Sequence, residues 1–288
     1  VRFRGTVGLL AALLLLAGCA GTPSPPTTEP TTEPAAEPRM SVILLQNRSD
    51  GPIGRMQLRV TNESDEDLRV DTATLESTAF AEPAVWDKGT TIPAGLTRDL
   101  PVQFPGASCA DGAPETVVRI EGRTPSGAVA VEVAPSDPNE RIPLLTGADC
   151  FAREVAAVGE VSLGTLRVGD PADPAELEVR VESAGSDRAL RVVSIDSTVL
   201  FNPVDDSGAP AASGVVGLEL GPGETSASAR VPIVPNRCDP HALAEDKVGT
   251  LFVFAVEVEG GRSGSLTLPA TPELRADLYE YFARACGF

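Results

Sequence analysis

Residues 56–64 read MQLRVTNES and residues 175–183 read AELEVRVES. Both alternate apolar and polar side chains with a period of two. In a strand, successive side chains point to opposite faces, so this pattern describes a strand with one buried face. The same alternation runs through ETVVRIEG (115–122), GAVAVEV (127–133), LFVFAVEVEG (251–260) and GSLTLP (264–269). Clusters of Gly, Pro, Asn, Asp and Ser separate these runs and supply the turns. Short strands at regular spacing, without intervening helices, predict an all-β chain folded as antiparallel β-sandwiches.

The two opening stretches belong to a longer internal repeat. Gln57-Leu58-Arg59-Val60-Thr61 matches Glu178-Val179-Arg180-Val181-Glu182. Leu68-Arg69-Val70 recurs as Leu190-Arg191-Val192, and Leu75-Glu76-Ser77-Thr78 as Ile195-Asp196-Ser197-Thr198. Ile92-Pro93-Ala94-Gly95 parallels Leu220-Gly221-Pro222-Gly223. Leu100-Pro101-Val102 precedes Cys109 much as Val231-Pro232-Ile233 precedes Cys238. Order is kept throughout, which predicts two homologous domains, 40–151 and 152–288, joined by a short connection near 152–155. Each resembles an immunoglobulin-like domain in general plan. The buried Trp and spanning Cys pair of antibody domains are missing, because the single Trp, Trp86, falls in a loop-like stretch.

One helix is expected at the end of the chain. Thr271 can cap it, with Pro272 at its first position and Glu273 in its first turn. Leu274, Leu278, Tyr281, Phe282 and Ala285 then form one apolar stripe that packs on the second sandwich. Cys19 aside, four cysteines remain, two per module, and four allow three pairings. Repeat symmetry favours Cys109–Cys150 with Cys238–Cys286. In the chain-entropy account, each such bond contributes about 4 kcal/mol.

The N-terminus reads as an address. Arg2 and Arg4 precede an uncharged apolar run from Val7 to Ala17. That run is too short to span a bilayer and suits the apolar region of a signal peptide. Leu16-Ala17-Gly18-Cys19 follows directly and resembles the lipobox of bacterial lipoproteins. The resemblance implies removal of residues 1–18, lipidation of Cys19 and a lipid-anchored location on the extracytoplasmic face of the cell membrane. Residues 19–39 form a Pro/Thr/Glu-rich tether, with Thr-Thr-Glu-Pro at 27–30 and again at 31–34. It has almost nothing to bury and favours polyproline II, which extends at about 3.1 Å per residue.

The chain carries 23 Lys and Arg against 41 Asp and Glu, a formal net charge of −18 over 288 residues. Such a polyanion repels nucleic acid and acidic lipid headgroups. Membrane attachment must therefore come from acyl chains. No G-x-S-x-G elbow, phosphate-binding loop, H-E-x-x-H or dinucleotide fingerprint occurs. With no C-x-x-C and a single histidine, neither a metal nor any other cofactor is expected. The nearest approach to a functional cluster is the stretch 236–247. There Asp239-Pro240 can start a helical turn that places His241 and Glu245 on one face, beside Asp246. Asp239, His241, Glu245 and Asp246 are thus a candidate binding loop, with local charge pairing as the competing reading. The segment RCDPHALAEDKVGT (237–250) resembles one in uncharacterised exported proteins of GC-rich Gram-positive bacteria, and supplies no functional residue.

These observations lead to a non-enzymatic envelope lipoprotein that binds another envelope protein or a wall component. The alternatives are a small-molecule or metal-binding lipoprotein serving a transporter, and an envelope hydrolase.

Overall fold

The structure is a computed structural model that describes residues 39–170, 173–244 and 250–288. The expected signal peptide, Cys19 and the tether as far as residue 38 lie outside the described residues, as do Glu245, Asp246 and Lys247.

The fold is all-β, with two tandem immunoglobulin-like antiparallel sandwiches. In the first, β1 (Met40–Leu45), β2 (Arg55–Asn62) and β6 (Thr97–Gln103) form one sheet, ordered β1-β2-β6. The facing sheet is ordered β4-β3-β7-β8. It holds β4 (Ala84–Trp86), β3 (Leu68–Ser77), β7 (Thr116–Thr124) and β8 (Gly127–Val133), with β5 (Thr90–Ile92) also on β3. In the second sandwich, β9 (Gly159–Arg167), β10 (Ala175–Ser183), β14 (Ser226–Pro235) and β12 (Phe201–Pro203) make the sheet β12-β14-β10-β9. Its partner, β13-β11-β15-β16, consists of β13 (Ser213–Leu220), β11 (Leu190–Asp196), β15 (Leu251–Val258) and β16 (Ser263–Pro269).

The alternating runs became strands because each could bury one face. Leu58 and Val60 in β2 enter the first core, and Leu177, Val179 and Val181 in β10 enter the second. The repeat also survives at the level of register. Leu68 pairs with Ile92 across β3 and β5, and Leu190 pairs with Leu220 across β11 and β13. A bulge interrupts β3 between Val70 and Thr72, and another interrupts β11 between Val192 and Ser194. Because a bulge re-aims every side chain after it, its recurrence at one repeat position ties both copies to the same geometry. One stretch slides. Leu58 faces Leu100, whereas Leu177, not Val179, faces Val231. The slip is two residues, an even number, so the buried face is kept.

Three sequence expectations need correction. Trp86 is not in a loop: it lies on the short strand β4 and is buried in the first core. The helix α3 (Pro272–Cys286) is not alone, because α1 (Arg141–Ala156) stands between the sandwiches and α2 (Pro240–Ala244) follows β14. The boundary placed at 151/152, with its short connection near 152–155, falls inside α1. The physical reason is that α1 serves two cores. Ile142 is buried with the first, while Phe151 and Val155 are buried with the second. Asp137 caps its start, accepting from the Arg141 and Ile142 amides at 2.7 and 2.9 Å.

α3 forms as its sequence requires. Thr271 Oγ1 accepts from the Leu274 amide at 3.2 Å, and Gly287 closes the C-terminus with φ 75°. Leu274, Leu278, Tyr281 and Phe282 are buried in the second core. No helix among the described residues is long and apolar enough to cross a membrane.

Candidate functional site

Each sandwich carries its crosslink at the same place. Cys109, beyond β6, bonds Cys150 of α1, with Cα atoms 5.6 Å apart. Cys238, beyond β14, bonds Cys286 of α3, with Cα atoms 5.1 Å apart. The pairing expected from the repeat is thus the observed one. In both modules a helix is stapled to the loop that leaves the equivalent strand.

Beside these staples lie two grooves at repeat-equivalent positions. The first, of about 490 Å³, opens at Ser77 and Thr78, where β3 ends and β7 begins. The second, of about 630 Å³, opens at Ser197 and Thr198, just beyond β11, and reaches the start of β15 at Leu251. Their chemistry differs. Glu76, Glu82 and Glu115 line the first. Asn236, Arg237 and the half-exposed Val199 line the second, which has no carboxylate in its wall. Arg237 in that wall is paired with Asp239.

The candidate loop leaves the second groove at Arg237. Arg237 Nη2 donates to Asp239 Oδ2 at 2.6 Å, and Asp239 Oδ1 accepts from the His241 amide at 2.9 Å. The hydrogen bond from Arg237, then that from the His241 amide, hold the Asp239 carboxyl below its ordinary value. Asp239 therefore works as the cap that starts α2, and its two oxygens are engaged locally. His241 is exposed, whereas Ala242 is buried against the second core and Leu243 packs on it. Asp239 and His241 are brought together through backbone, not as side chains converging on a ligand. Glu245 and Asp246 lie outside the described residues. Among the described residues, no three His, Cys, Asp or Glu side chains are placed to hold a metal ion.

Hydrolytic chemistry would be marked by paired carboxylates in a cleft. Among the described residues, two acidic side chains are buried, one per sandwich, and neither lines either groove. Asp50 accepts from Arg55 Nε at 2.6 Å, Gln57 Nε2 at 2.9 Å and the Asn47 amide at 2.9 Å. Burial alone would raise its pKa, but these donors together hold it below the ordinary carboxylate value. Glu178 accepts from Arg180 Nη2 at 2.6 Å, Thr165 Oγ1 at 3.0 Å and the Thr165 amide at 3.2 Å. The Arg180 hydrogen bond is the leading cause of its lowered pKa, about 2. Both acids organise backbone and sheet.

The sequence reading missed the role of α1 in joining the modules. On one side, Asp149 Oδ2 accepts from the Ala107 amide at 2.9 Å and Arg153 donates to the Ala107 carbonyl and to Asp149. On the other, Glu154 pairs with Arg188 at 3.0 Å and Arg262 at 2.9 Å, both in the second sandwich. Phe151 lies against Gly264 on β16. A signal was present: Phe-Ala-Arg occurs at 151–153 and again at 282–284, once in each stapled helix.

No protein-family model matches the chain, and no curated protein matches it. Solved structures give loose likenesses. The Pseudomonas aeruginosa CupB2 chaperone is 11% identical, with 76% of this chain and 93% of that chain covered, at a TM-score of 0.21. The YadV chaperone is 12% identical, with 79% and 100% covered, at 0.22. The B domain of a biofilm-associated protein is 9% identical, with 85% and 89% covered, at 0.22. At such TM-scores these likenesses transfer no activity, partner or site to this chain.

Proposed function

We propose that this chain is a lipid-anchored lipoprotein of the cell envelope, acting as a non-enzymatic binding or structural module for another envelope component. The observation that carries this reading is Leu16-Ala17-Gly18-Cys19 placed directly after an eleven-residue apolar run. Two disulfides support it, since such bonds persist in oxidising, extracytoplasmic compartments. Tandem sandwiches stapled at one pole suit surface recognition, because their loops and grooves vary while the sheets hold them in place. Acyl chains on Cys19 would anchor the body, and the Pro/Thr/Glu-rich tether would hold an acidic domain away from an acidic membrane.

Fractionation of cells expressing the full chain tests the anchor. Cys19→Ala is expected to abolish lipid labelling and to move the protein into soluble envelope fractions or medium. Unchanged membrane retention refutes it. Crosslinking in intact cells then tests the module: recovery of one defined envelope partner supports binding, and an uncrosslinked chain that turns over a wall substrate refutes it.

A further inference from the structure

α1 is held at both ends and is weak in its middle. Its first turn is fixed to the first sandwich by the Asp137 cap and by buried Ile142. The strand-like segment before it is fixed there too, since Ser136 and Leu44 are hydrogen-bonded through backbone at 2.9 Å. Its last turns are fixed to the second sandwich by buried Phe151 and Val155 and by Glu154 bridging Arg188 and Arg262. Between these anchors lie Thr146 and Gly147. Glycine is the poorest helix former after proline, because it surrenders the most backbone freedom. Thr146 Oγ1 donates back to the Ile142 carbonyl at 2.7 Å, a bond that loosens and bends helices. Gly147 is exposed, and a Cβ added there would meet nothing within 4 Å. Nothing in the packing demands a glycine at this point.

The brace on this weak turn is Cys109–Cys150, placed one turn beyond Gly147. It ties the second half of α1 back to the first sandwich, which that half also meets through Asp149 and Arg153 at Ala107. Among the described residues, no strand of the first sandwich packs extensively on a strand of the second. The relative orientation of the sandwiches is therefore carried by α1. Cys238–Cys286 differs, because both of its ends lie within the second sandwich.

We propose that Thr146–Gly147 is a hinge between the sandwiches and that Cys109–Cys150 is the redox-controlled brace that locks it. Cys109 is the exposed half of the bond and sits at φ 57°, a left-handed conformation that a residue with a Cβ adopts only when held there, whereas Cys150 is buried. A dithiol reductant opens the brace in two steps. Its thiolate attacks Cys109 Sγ, forming a mixed disulfide and expelling the Cys150 thiolate, which takes up a proton. The second thiol of the reductant then attacks its own sulfur in that mixed disulfide. Cys109 leaves as a thiolate, to be protonated, and the reductant becomes a cyclic disulfide. Two electrons have passed to the cysteine pair, and the hinge has lost its covalent brace, keeping only non-covalent restraint such as the hydrogen bonds of Asp149 and Arg153 to Ala107.

The test places spin labels on noncanonical side chains at exposed Val85 and Val215 of the full chain, one per sandwich, so that no cysteine is altered. The oxidised chain is expected to give one narrow distance. A dithiol, with mass mapping to show Cys109 and Cys150 as free thiols, is expected to broaden it, and the double variant Cys109→Ser with Cys150→Ser is expected to do so without reductant. Gly147→Ala is expected to narrow the distribution again in the reduced chain, and Cys238→Ser with Cys286→Ser is expected to leave the oxidised distance unbroadened. Should the first double variant fail to fold, reduction of the unaltered chain carries the same comparison. A distance that stays narrow once Cys109–Cys150 is open overturns the brace. A reduced Gly147→Ala chain as broad as the reduced parent overturns the hinge.

Discussion

Single side chains decide how closely these elements approach. A Cβ built on Gly264 falls 3.0 Å from the Phe151 ring. Gly264→Ala gains about 0.5–1 kcal/mol of backbone entropy. It is expected to lose about 1–3 kcal/mol through overpacking against the wedged ring. A net fall of about 1 kcal/mol in denaturant unfolding is the outcome to look for. Tyr281 sits where α3 meets β10, β14 and the loop at Asp173. Its hydroxyl accepts from the Ala175 amide at 3.3 Å and lies 3.2 Å from the Ile233 carbonyl, which it can donate to. Tyr281→Phe strands a buried amide, and a cost of about 1–3 kcal/mol is expected with the fold unchanged. Glu178 predicts a pH response. Its pKa falls from 4.5 to about 2 on folding, so its stabilisation is fully present above pH 4.5 and is lost as pH drops through about 2. An acid titration of Glu178→Gln, followed by circular dichroism, should lack that part of the decline; an unchanged slope would mean that other carboxylates account for it.

Whether an element can be read in sequence depends on how many neighbours it serves. β2, β10, β7 and β15 each send their most buried apolar side chains to one core, so a period of two is legible in them even though Gln57 and Glu178 are covered on the other face. α3 buries one stripe in one core and is legible too, down to its Thr271 cap. α1 fails that condition. Ile142 turns to the first sandwich, Phe151 and Val155 turn to the second, and Pro143 and Gly147 dilute the pattern, so no single stripe forms. Trp86 was hidden for another reason: a three-residue strand is too short to show any period. The staple on α3 carries a local prediction. Cys286→Ser releases the last turn of α3 from Cys238, and by chain entropy is expected to cost about 4 kcal/mol in the second sandwich. Amide exchange should rise first along α3 and leave β1–β8 protected; uniform loss across both sandwiches would contradict a local staple.

At the scale of the molecule, duplication explains most of what the sequence reveals. The shared bulges and the Leu68–Ile92 and Leu190–Leu220 pairs are constraints that both copies must meet, so the residues that meet them recur. The grooves are illegible for the converse reason. Their walls mix strand ends with loop residues free to diverge, and Glu82 and Glu115 line one groove whereas Asn236 and Arg237 line the other. In the candidate loop, Asp239 engages the His241 amide at the start of α2, as its Asp-Pro sequence suggests, while Glu245 and Asp246 lie outside the described residues. The crosslinks join the second cysteine of the sequence to the third and the fourth to the fifth. If the chain is exported as proposed, threading from its N-terminal side presents each partner next in line. If Cys19 is lipidated as proposed, an oxidase that simply joins thiols in order of arrival makes both native bonds. Maturation should then proceed at a normal rate in cells that lack a disulfide-shuffling enzyme, as pulse-chase under alkylating conditions would reveal.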